Sequence, residues 1–298
     1  MNYALHLLVF FSIYSILTLG LNIAVGYCGL LTLAQAGYFA IGAYGYAVCT
    51  VGWGWPAWVG ILFAIGLGGV MSFLVTLPTW RLRGDYFVIA TLAVQILIHS
   101  VLRNWHASGQ SLGSWQNVTN GPFGIAGVPR PEPAALFDGL PAYALLSLTA
   151  LIVVFLVCRR LFKSPWGLAL KCVRDDELAA RGIGHPAHIL KAQALFAASA
   201  TAALAGALYA SYTSYISPDM ALIDESILLL SMVVVGGAGN LKGPVVGALV
   251  LLLVPEFLRF LPLSDSAASE LRVAVYGLFL VLTVHFMPRG IAGEYKVS

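Results

Sequence analysis

The sequence predicts an all-α, polytopic transmembrane bundle of about eight to ten spans, some of them broken, with an internal repeat. Of the 298 residues, 59% are apolar and only 10% are charged, which is too little polar surface for a soluble domain of this size. Apolar runs long enough to cross a hydrocarbon core of about 30 Å recur along the whole chain. The net charge of +3 is too small to indicate a nucleic-acid partner. We therefore predict one membrane domain over residues 1–298, in contact with membrane lipid.

Nine apolar segments are predicted to be spans. The first begins at Tyr3 without a basic region or cleavage site, so we expect a retained helix rather than a signal peptide. The seventh is short and ends in Gly236 and Gly237, and the second carries several glycines, so both are candidates for broken helices. The predicted spans are residues 3–25, 30–51, 57–79, 86–103, 141–157, 189–212, 225–235, 244–261 and 271–286.

The basic residues predict the orientation, because Lys and Arg in short loops are retained on the cytoplasmic side. If the segment 159–190 and the adjoining Lys191 are cytoplasmic, twelve of the sixteen basic residues lie on that side. The exceptions are Arg103, Arg130, Arg259 and Arg272. The segment 104–140 is then a long external loop, and nine spans place the N-terminus outside.

No hydrolytic, redox or metal-binding constellation is present in the sequence. The segment 236–243 fails as a phosphate loop because Leu241 precedes Lys242 where the Walker spacing needs Gly, and it fails as a dinucleotide fingerprint because Lys242 replaces the third Gly. His185 and His188 are three apart but have no third ligand nearby, which favours a solvated loop. The four cysteines form no C-x-x-C pair and are expected to be small core residues. We expect no enzymatic activity, no cofactor and no metal.

Two glycine-rich segments share the pattern G-x-x-G-x-L in opposite halves of the chain, at residues 26–31 and 236–241. Transporters built from repeats place broken helices at the solute path, where unwound backbone lines a cavity instead of facing lipid. The alternative, that small residues only permit close helix packing, is equally good for any single glycine. For the pair we favour the path. The residues predicted to line it are Gly29, Thr32, Gln35, Gly37, Leu228, Gly236, Gly237 and Gly239.

Charged residues inside the predicted spans are scarce. A path without a buried carboxylate or Lys pair lacks the ion or proton relay that is typical of secondary transporters. We expect Asp224, Glu225 and Glu256 to be interfacial or helix N-terminal charges. Energy for movement along the path would then come from another component.

The segment 164–184 has the most specific local pattern. Its acidic residues 175–177 are predicted to open a short helix, because carboxylates favour the positive end of the helix dipole. Residues 178–180 give this helix a small, packable face, and Gly182 or Gly184 can end it. A short helix presented to the cytoplasm suits mechanical contact with a soluble motor. The alternative is a solvated loop with positive-inside charges.

Five segments carry a family resemblance. One is 164–184 continued by 191–210, which ends in Ala-Leu-Ala-Gly-Ala-Leu-Tyr-Ala. The others are RLRGDYF at 81–87, NGPFGI at 120–125, ISPD at 216–219 and GGAGNLKGP at 236–244. Taken in order over nearly the whole chain, they resemble the M-type permease of high-affinity branched-chain amino acid ABC importers.

The resemblance implies a multi-pass subunit of the bacterial inner membrane. Its partners would be a paralogous permease subunit, two cytoplasmic ATP-binding subunits and an extracytoplasmic solute-binding protein facing the loop 104–140. A coupling helix around residues 174–180 would sit in a groove of an ATP-binding subunit. The coupling residues so implied are Arg174, Asp175, Asp176, Glu177, Leu178 and Ala179.

Two departures from the family pattern lie near the predicted path. The pattern reads Leu-Ser-Leu-Gly-His where this chain has Leu-Thr-Leu-Ala-Gln at 31–35, and a Glu expected in the seventh span is replaced by Leu228. Related systems move urea and short amides, for which Gln35 is a suitable neighbour, so an importer of such solutes is one alternative. A stand-alone channel or ion-coupled carrier is a second, and it would need a charged residue deep in a span.

Overall fold

The computed structural model describes residues 2–79, 82, 84–107, 109–131 and 139–258, together with 277, 278, 281 and 291. This part is almost entirely helical, which confirms the all-α prediction. Four of its helices are long and apolar enough to cross a membrane, so the chain is a multi-pass membrane protein. These four candidate spans are Tyr3–Tyr27, Asp85–Asn104, Leu140–Phe162 and Ala187–Thr213, and shorter apolar helices cover Ala57–Phe73 and Gly243–Leu253.

The described chain contains ten α-helices and two short strands. The helices are α1 (Asn2–Asn22), α2 (Gln35–Ala47), α3 (Ala57–Thr79), α4 (Asp85–Asn104), α5 (Leu140–Phe162), α6 (Pro165–Asp175), α7 (Glu177–Gly182), α8 (Ala187–Thr213), α9 (Ile223–Gly236) and α10 (Gly243–Leu258). Single π-helical turns at Ile23–Tyr27 and Val48–Gly52 extend α1 and α2. Short 3-10 helices cover Gly121–Phe123 and Pro218–Ala221. The strands β1 (Ile125–Ala126) and β2 (Tyr215–Ile216) pair antiparallel, with Ile125 opposite Ile216.

The core of the bundle is formed by α1, α2 and α8, which are apolar on most sides and largely buried. Helices that are apolar all round belong inside a bundle or in lipid. The outer helices α3, α4 and α5 expose large apolar side chains instead. Leu62, Ile89, Leu97 and Val153 are all more than half exposed, as expected for faces that contact lipid.

Small residues bring α2 and α8 into backbone contact. A Cβ atom on Gly206 of α8 would lie 2.0 Å from the carbonyl oxygen of Phe39, and one on Gly42 of α2 would lie 2.3 Å from Cα of Ala203. Membrane helices associate through such close packing because lipid removes the hydrophobic drive between them. The predicted alternative for glycines, close helix packing, therefore describes these two.

The two ends of the bundle are marked by different elements. At one, the Arg174 end, the end of α1 meets α6, and the loop after α9 lies beside it. At the other, the Tyr212 end, His6 of α1 contacts Tyr212 of α8, and the backbone oxygen of Tyr212 accepts a hydrogen bond from Arg130. The described part of the predicted loop 104–140 lies at the Tyr212 end, where β1 pairs with β2.

Helices occur at eight of the nine predicted spans, and the ninth, 271–286, lies largely outside the described residues. The predicted start of the second span, residue 30, is wrong, because residues 28–34 are unwound and α2 starts only at Gln35. The fifth predicted span, 141–157, ends too early. Helix α5 continues to Phe162 through Arg159 and Arg160, since basic side chains are favourable in the last turn of a helix.

Candidate functional site

Helices α2 and α9 both begin inside the bundle, and their first turns meet. The backbone N–H of Ala36 donates to Oγ of Ser226 (3.2 Å), and the N–H of Gly37 donates to Oε1 of Gln95 (2.7 Å). Gln95 lies about 15 Å along α4 from Asp85 at 1.5 Å per residue, which is near the middle of that helix. The first N–H groups of a helix have no partner within it, so these side chains allow a helix to start away from water.

Gln95 also holds the chain that leads into α9. Its Nε2 donates to the backbone oxygens of Ala221 (2.8 Å) and Leu222 (3.2 Å), and the side chain is fully buried. One amide therefore bridges the starts of both half-helices. We refer to the junction of Gln35, Gly37, Gln95 and Ser226 as the mid-depth junction.

Gln35, the first residue of α2, ties this junction to the core. Its Nε2 donates to the backbone oxygens of Leu17 and Ala198, both at 3.3 Å. Its Oε1 is buried and accepts no hydrogen bond from the described residues. Both amide hydrogens are thus used inside the bundle.

A carboxylate lies beside the mid-depth junction. Glu225, in the first turn of α9, is half-buried, and its Oε2 lies 3.4 Å from the hydroxyl of Tyr14. Tyr14 is about 12 Å along α1 from His6 and about 18 Å from Gly26. Glu225 is therefore a helix N-terminal charge inside the bundle, whereas Asp224, in the same first turn of α9, is exposed.

The two G-x-x-G-x-L segments meet at the Arg174 end. The side chain of Asn22 accepts from the N–H of Gly239 (3.0 Å) and donates to the backbone oxygen of Asn240 (2.9 Å). A Cβ on Gly26 would lie 2.4 Å from the backbone nitrogen of Gly239. Only glycine fits this contact, which we call the glycine junction.

The segment 164–184, predicted to form one short helix, forms two, α6 and α7. Asp176 is extended (φ −153°), and its carboxylate accepts from the N–H groups of Leu178 (2.8 Å) and Ala179 (3.0 Å) as the N-cap of α7. Asp175 therefore ends α6 and does not open the predicted helix. Of the predicted packable face, Ala180 is buried within the chain, whereas Leu178 is 67% exposed and Ala179 is exposed.

Arg174 and Lys191 attach these two helices to the bundle. Nη1 of Arg174 donates to the backbone oxygen of Gly26 at 2.8 Å, and its Nε lies 2.9 Å from Oδ1 of Asp175. Nζ of Lys191, on α8, lies 2.8 Å from Oε2 of Glu177. Arg174 faces inward, with 10% of its side chain exposed, so it is not a surface residue of the pair.

A cavity of about 530 Å³ opens between the α6–α7 pair and the unwound segment after α1. Its lining includes Cys28, Gly29, Asp85, Arg174 and Lys191. Burial raises the pKa of the Cys28 thiol to about 12, with a smaller opposing effect of Lys191 and a raising effect of Glu177. A thiol in that state is a poor nucleophile and metal ligand, and no group of three metal-ligating side chains occurs among the described residues.

Comparison with known proteins identifies the family. The model of the family described as "Branched-chain amino acid transport system / permease component" matches residues 3–284. The chain belongs to this permease family. The permease is 31% identical to the high-affinity branched-chain amino acid transport system permease proteins LivM of Escherichia coli and Salmonella typhimurium, over 94% of its own length.

The same alignments cover 67% of each of these two relatives. A probable branched-chain amino acid transport permease protein LivM of Methanocaldococcus jannaschii is 26% identical over 80% of the permease and 68% of that relative. No solved structure matches the permease.

The residues predicted to line a path fall into two groups in the permease. Gln35 and Gly37 belong to the mid-depth junction, and Leu228 is half-buried on α9 two residues after Ser226. Thr32 is buried in the unwound segment, where its Oγ1 accepts from the N–H of Ala34. Gly29, Gly236, Gly237 and Gly239 lie at the Arg174 end, and the last two have φ of 109° and 83°.

Four side chains that join these groups were not predicted from the sequence: Tyr14, Asn22, Gln95 and Ser226. A signal was available for Asn22 and Gln95, because an amide inside an apolar span must find hydrogen-bond partners in the protein. No local pattern distinguishes Ser226 from a serine that bonds back to its own helix.

Proposed function

We propose that the permease forms half of the membrane path of an ATP-driven importer for branched-chain or other hydrophobic amino acids. A paralogous permease subunit supplies the other half, two cytoplasmic ATP-binding subunits supply the energy, and an extracytoplasmic binding protein delivers the solute. The complex belongs to the bacterial inner membrane, with the Arg174 end in the cytoplasm and the Tyr212 end outside.

The attachment of the α6–α7 pair to the bundle carries this proposal. The pair exposes Leu178 at one side and is held at the other by Arg174 and Lys191. An exposed apolar side chain beside charged neighbours suits a contact with another protein. A soluble motor bound there could act on the glycine junction through Arg174.

The choice of solute rests on the relatives and on Gln35. The relatives are named for branched-chain amino acid transport. Gln35 uses both amide hydrogens on backbone oxygens, so it offers a solute only its buried Oε1, as an acceptor and not as a donor to the carbonyl of urea or a short amide. We therefore favour amino acids over the urea alternative.

Glu225 favours a second candidate, an ion-coupled carrier. Such a carrier needs an ionisable side chain deep in a span, and Glu225 lies beside Tyr14, well inside α1. Its neighbour Asp224 is exposed. The two candidates differ in whether the chain works without ATP.

Uptake of leucine-like solutes into vesicles separates these candidates. We expect uptake only when the permease, its paralogue, the ATP-binding subunits, the binding protein and ATP are all present. Uptake by the permease alone, driven by a proton or sodium gradient, would support the carrier and overturn the importer.

The exposed face of α7 provides a second test. Leu178→Asp removes little packing within this chain because the side chain is 67% exposed, yet it puts a charge at the proposed contact. We expect loss of ATP-binding subunits from the purified complex, as for the double variant Asp176→Lys, Glu177→Lys. Normal assembly and uptake with Leu178→Asp would contradict this contact.

A further inference from the structure

We propose that Arg174 is the positioning residue that transmits movement of the α6–α7 pair to the inner end of the path, through the backbone oxygen of Gly26. This inference rests on the proposed function, since it assigns a direction of action within the same importer. Arg174 was predicted to contact the ATP-binding subunit, and it is assigned here to the interior contact behind that surface.

The carbonyl of Gly26 belongs to the last turn of α1, where helix carbonyls lack partners of their own. In this π-helical turn the N–H of Cys28 returns to the oxygen of Ile23 (3.2 Å), and the N–H of Leu30 returns to the oxygen of Ala24 (2.9 Å). The oxygen of Gly26 accepts instead from Nη1 of Arg174. A guanidinium suits this position, because the C-terminal end of a helix carries partial negative charge.

The Arg174 side chain has two further contacts besides Gly26. Nε of Arg174 pairs with Asp175, the next residue of the same segment. The stem of Arg174 lies against Gly29, where a Cβ would come within 2.8 Å of its Cγ. With most of its rotamers excluded, the side chain can act as a rigid strut between α6 and the end of α1.

The same turn of α1 is held to the neighbouring helices by its aromatic ring. Tyr27 stacks on Phe162 at the end of α5, with ring centroids 3.5 Å apart and planes 9° apart. Nζ of Lys171, on α6, lies 5.4 Å from the centroid of the Tyr27 ring, which is within the range of a cation–π contact. The end of α1 is therefore expected to follow α6 when α6 moves.

A displacement of Gly26 acts on the path only if it also displaces the glycine segment in the second half of the chain, which contains Gly239. Gly26 packs against the backbone nitrogen of Gly239, and Asn22, one turn earlier, is hydrogen-bonded to the same loop. The Asn22 side chain completes this contact, because its Oδ1 lies beside Gly26 and accepts from the N–H of Gly239. The sequence of contacts runs from Arg174 to Gly26 and from Gly26 to Gly239.

The cavity beside this strut gives the pair room to move. About 530 Å³ of open volume lies between the unwound segment, the first turns of α4 and the α6–α7 junction. Close-packed interiors resist displacement, and Leu170 and Ala180 hold the pair in the core on one side. On the side of the open volume α6 and α7 can tilt without displacing packed side chains. Arg174 lines this cavity and links α6 directly to the end of α1 through its hydrogen bond to Gly26.

The test uses the whole complex in vesicles and measures solute transported per ATP hydrolysed. Arg174→Ala leaves the oxygen of Gly26 without its charged donor, and a hydrogen bond to a charged group is worth enough to change an equilibrium roughly tenfold or more. We expect this ratio to fall roughly tenfold while ATP hydrolysis continues. Arg160→Ala, an exposed basic residue at the end of α5, is the matched control and should keep the ratio.

The conservative variant Arg174→Lys separates transmission from folding. It keeps the charge and one donor but loses the planar fork, so its ratio should lie between those of wild type and Arg174→Ala. A ratio equal to the Arg160→Ala control in both Arg174 variants would overturn the inference and leave the importer intact. Absence of ATP-dependent uptake by the wild-type complex would instead overturn the proposed function itself. If Arg174→Ala does not assemble, Arg174→Lys alone decides by the same comparison.

Discussion

At the residue scale, three buried amides replace the hydrogen bonds that water supplies elsewhere. Asn22, Gln35 and Gln95 each contact two or more backbone groups from other segments. Broken helices leave backbone groups without intrahelical partners, and in lipid these groups must be satisfied by the protein. The amides thus make the unwound segments possible.

Asn22→Leu tests this role. The substitution keeps the size of the side chain but leaves the N–H of Gly239 and the oxygen of Asn240 without the Asn22 amide. We expect the free energy of unfolding in detergent to fall by about 1–3 kcal/mol. Asn104→Leu is the control, because the side chain of the exposed Asn104 donates to the backbone oxygen of Ser100 in its own helix and bridges no separate segments. Equal effects of the two substitutions would argue against the bridging role.

At the element scale, α2 and α9 are half-helices whose starts meet at mid-depth, while their neighbour α8 runs the full length of the bundle. Helix α8 contributes a surface of small residues, including Ala203 and Gly206, against which α2 lies in backbone contact. This packing fixes where α2 can sit. A short helix without it would have too few contacts to hold its place.

Gly206→Ala tests the contact between α8 and α2. The added Cβ would lie 2.0 Å from the backbone oxygen of Phe39, and backbone cannot move aside as a flexible side chain can. We expect a loss of about 1–3 kcal/mol in unfolding free energy. In α3, Gly66→Ala meets nothing within 4 Å and should be neutral or stabilising by up to about 1 kcal/mol. A stable Gly206→Ala protein would show that α2 can shift without cost.

At the scale of the whole molecule, the proposed orientation gives each end a distinct partner. The Arg174 end carries the α6–α7 pair, and the Tyr212 end carries the loop with β1 and the exposed Trp115. Tryptophans at positions 53, 55, 58, 105 and 115 lie at the Tyr212 end, and aromatic side chains of this kind are enriched at membrane interfaces.

Cysteine labelling tests this orientation. In a variant without the four native cysteines, Trp115→Cys should react with a membrane-impermeant maleimide in intact cells, whereas Arg160→Cys should react only after permeabilisation. Both positions are exposed, so access and not burial decides the result. The reverse pattern would invert the proposed orientation and place the α6–α7 pair outside.

Much of the fold could be predicted because lipid imposes a simple rule. Long apolar runs must form helices, so α1, α3, α4, α5 and α8 were predicted within a few residues, and the end of α9 at Gly236 was marked by paired glycines. The predicted starts of α2 and α7 were wrong. Residues 28–34 are unwound where they contact other elements, as in the hydrogen bond from the N–H of Leu33 to Oγ1 of Thr91, and no local pattern indicates such a contact. The start of α7 is set locally, because Asp176 and not Asp175 caps the N–H groups of Leu178 and Ala179.

The sequence by itself determined that this chain is a helical membrane protein of a permease family, because composition, apolar periodicity and ordered motifs are local properties. Only the tertiary structure decided that Asn22 joins the two glycine segments, that Gln95 and Ser226 cap α2, and that Arg174 faces inward to Gly26. These contacts join residues from 58 to 217 positions apart. The packing of whole helices determines which residues become partners, and the neighbouring residues in the sequence do not indicate it.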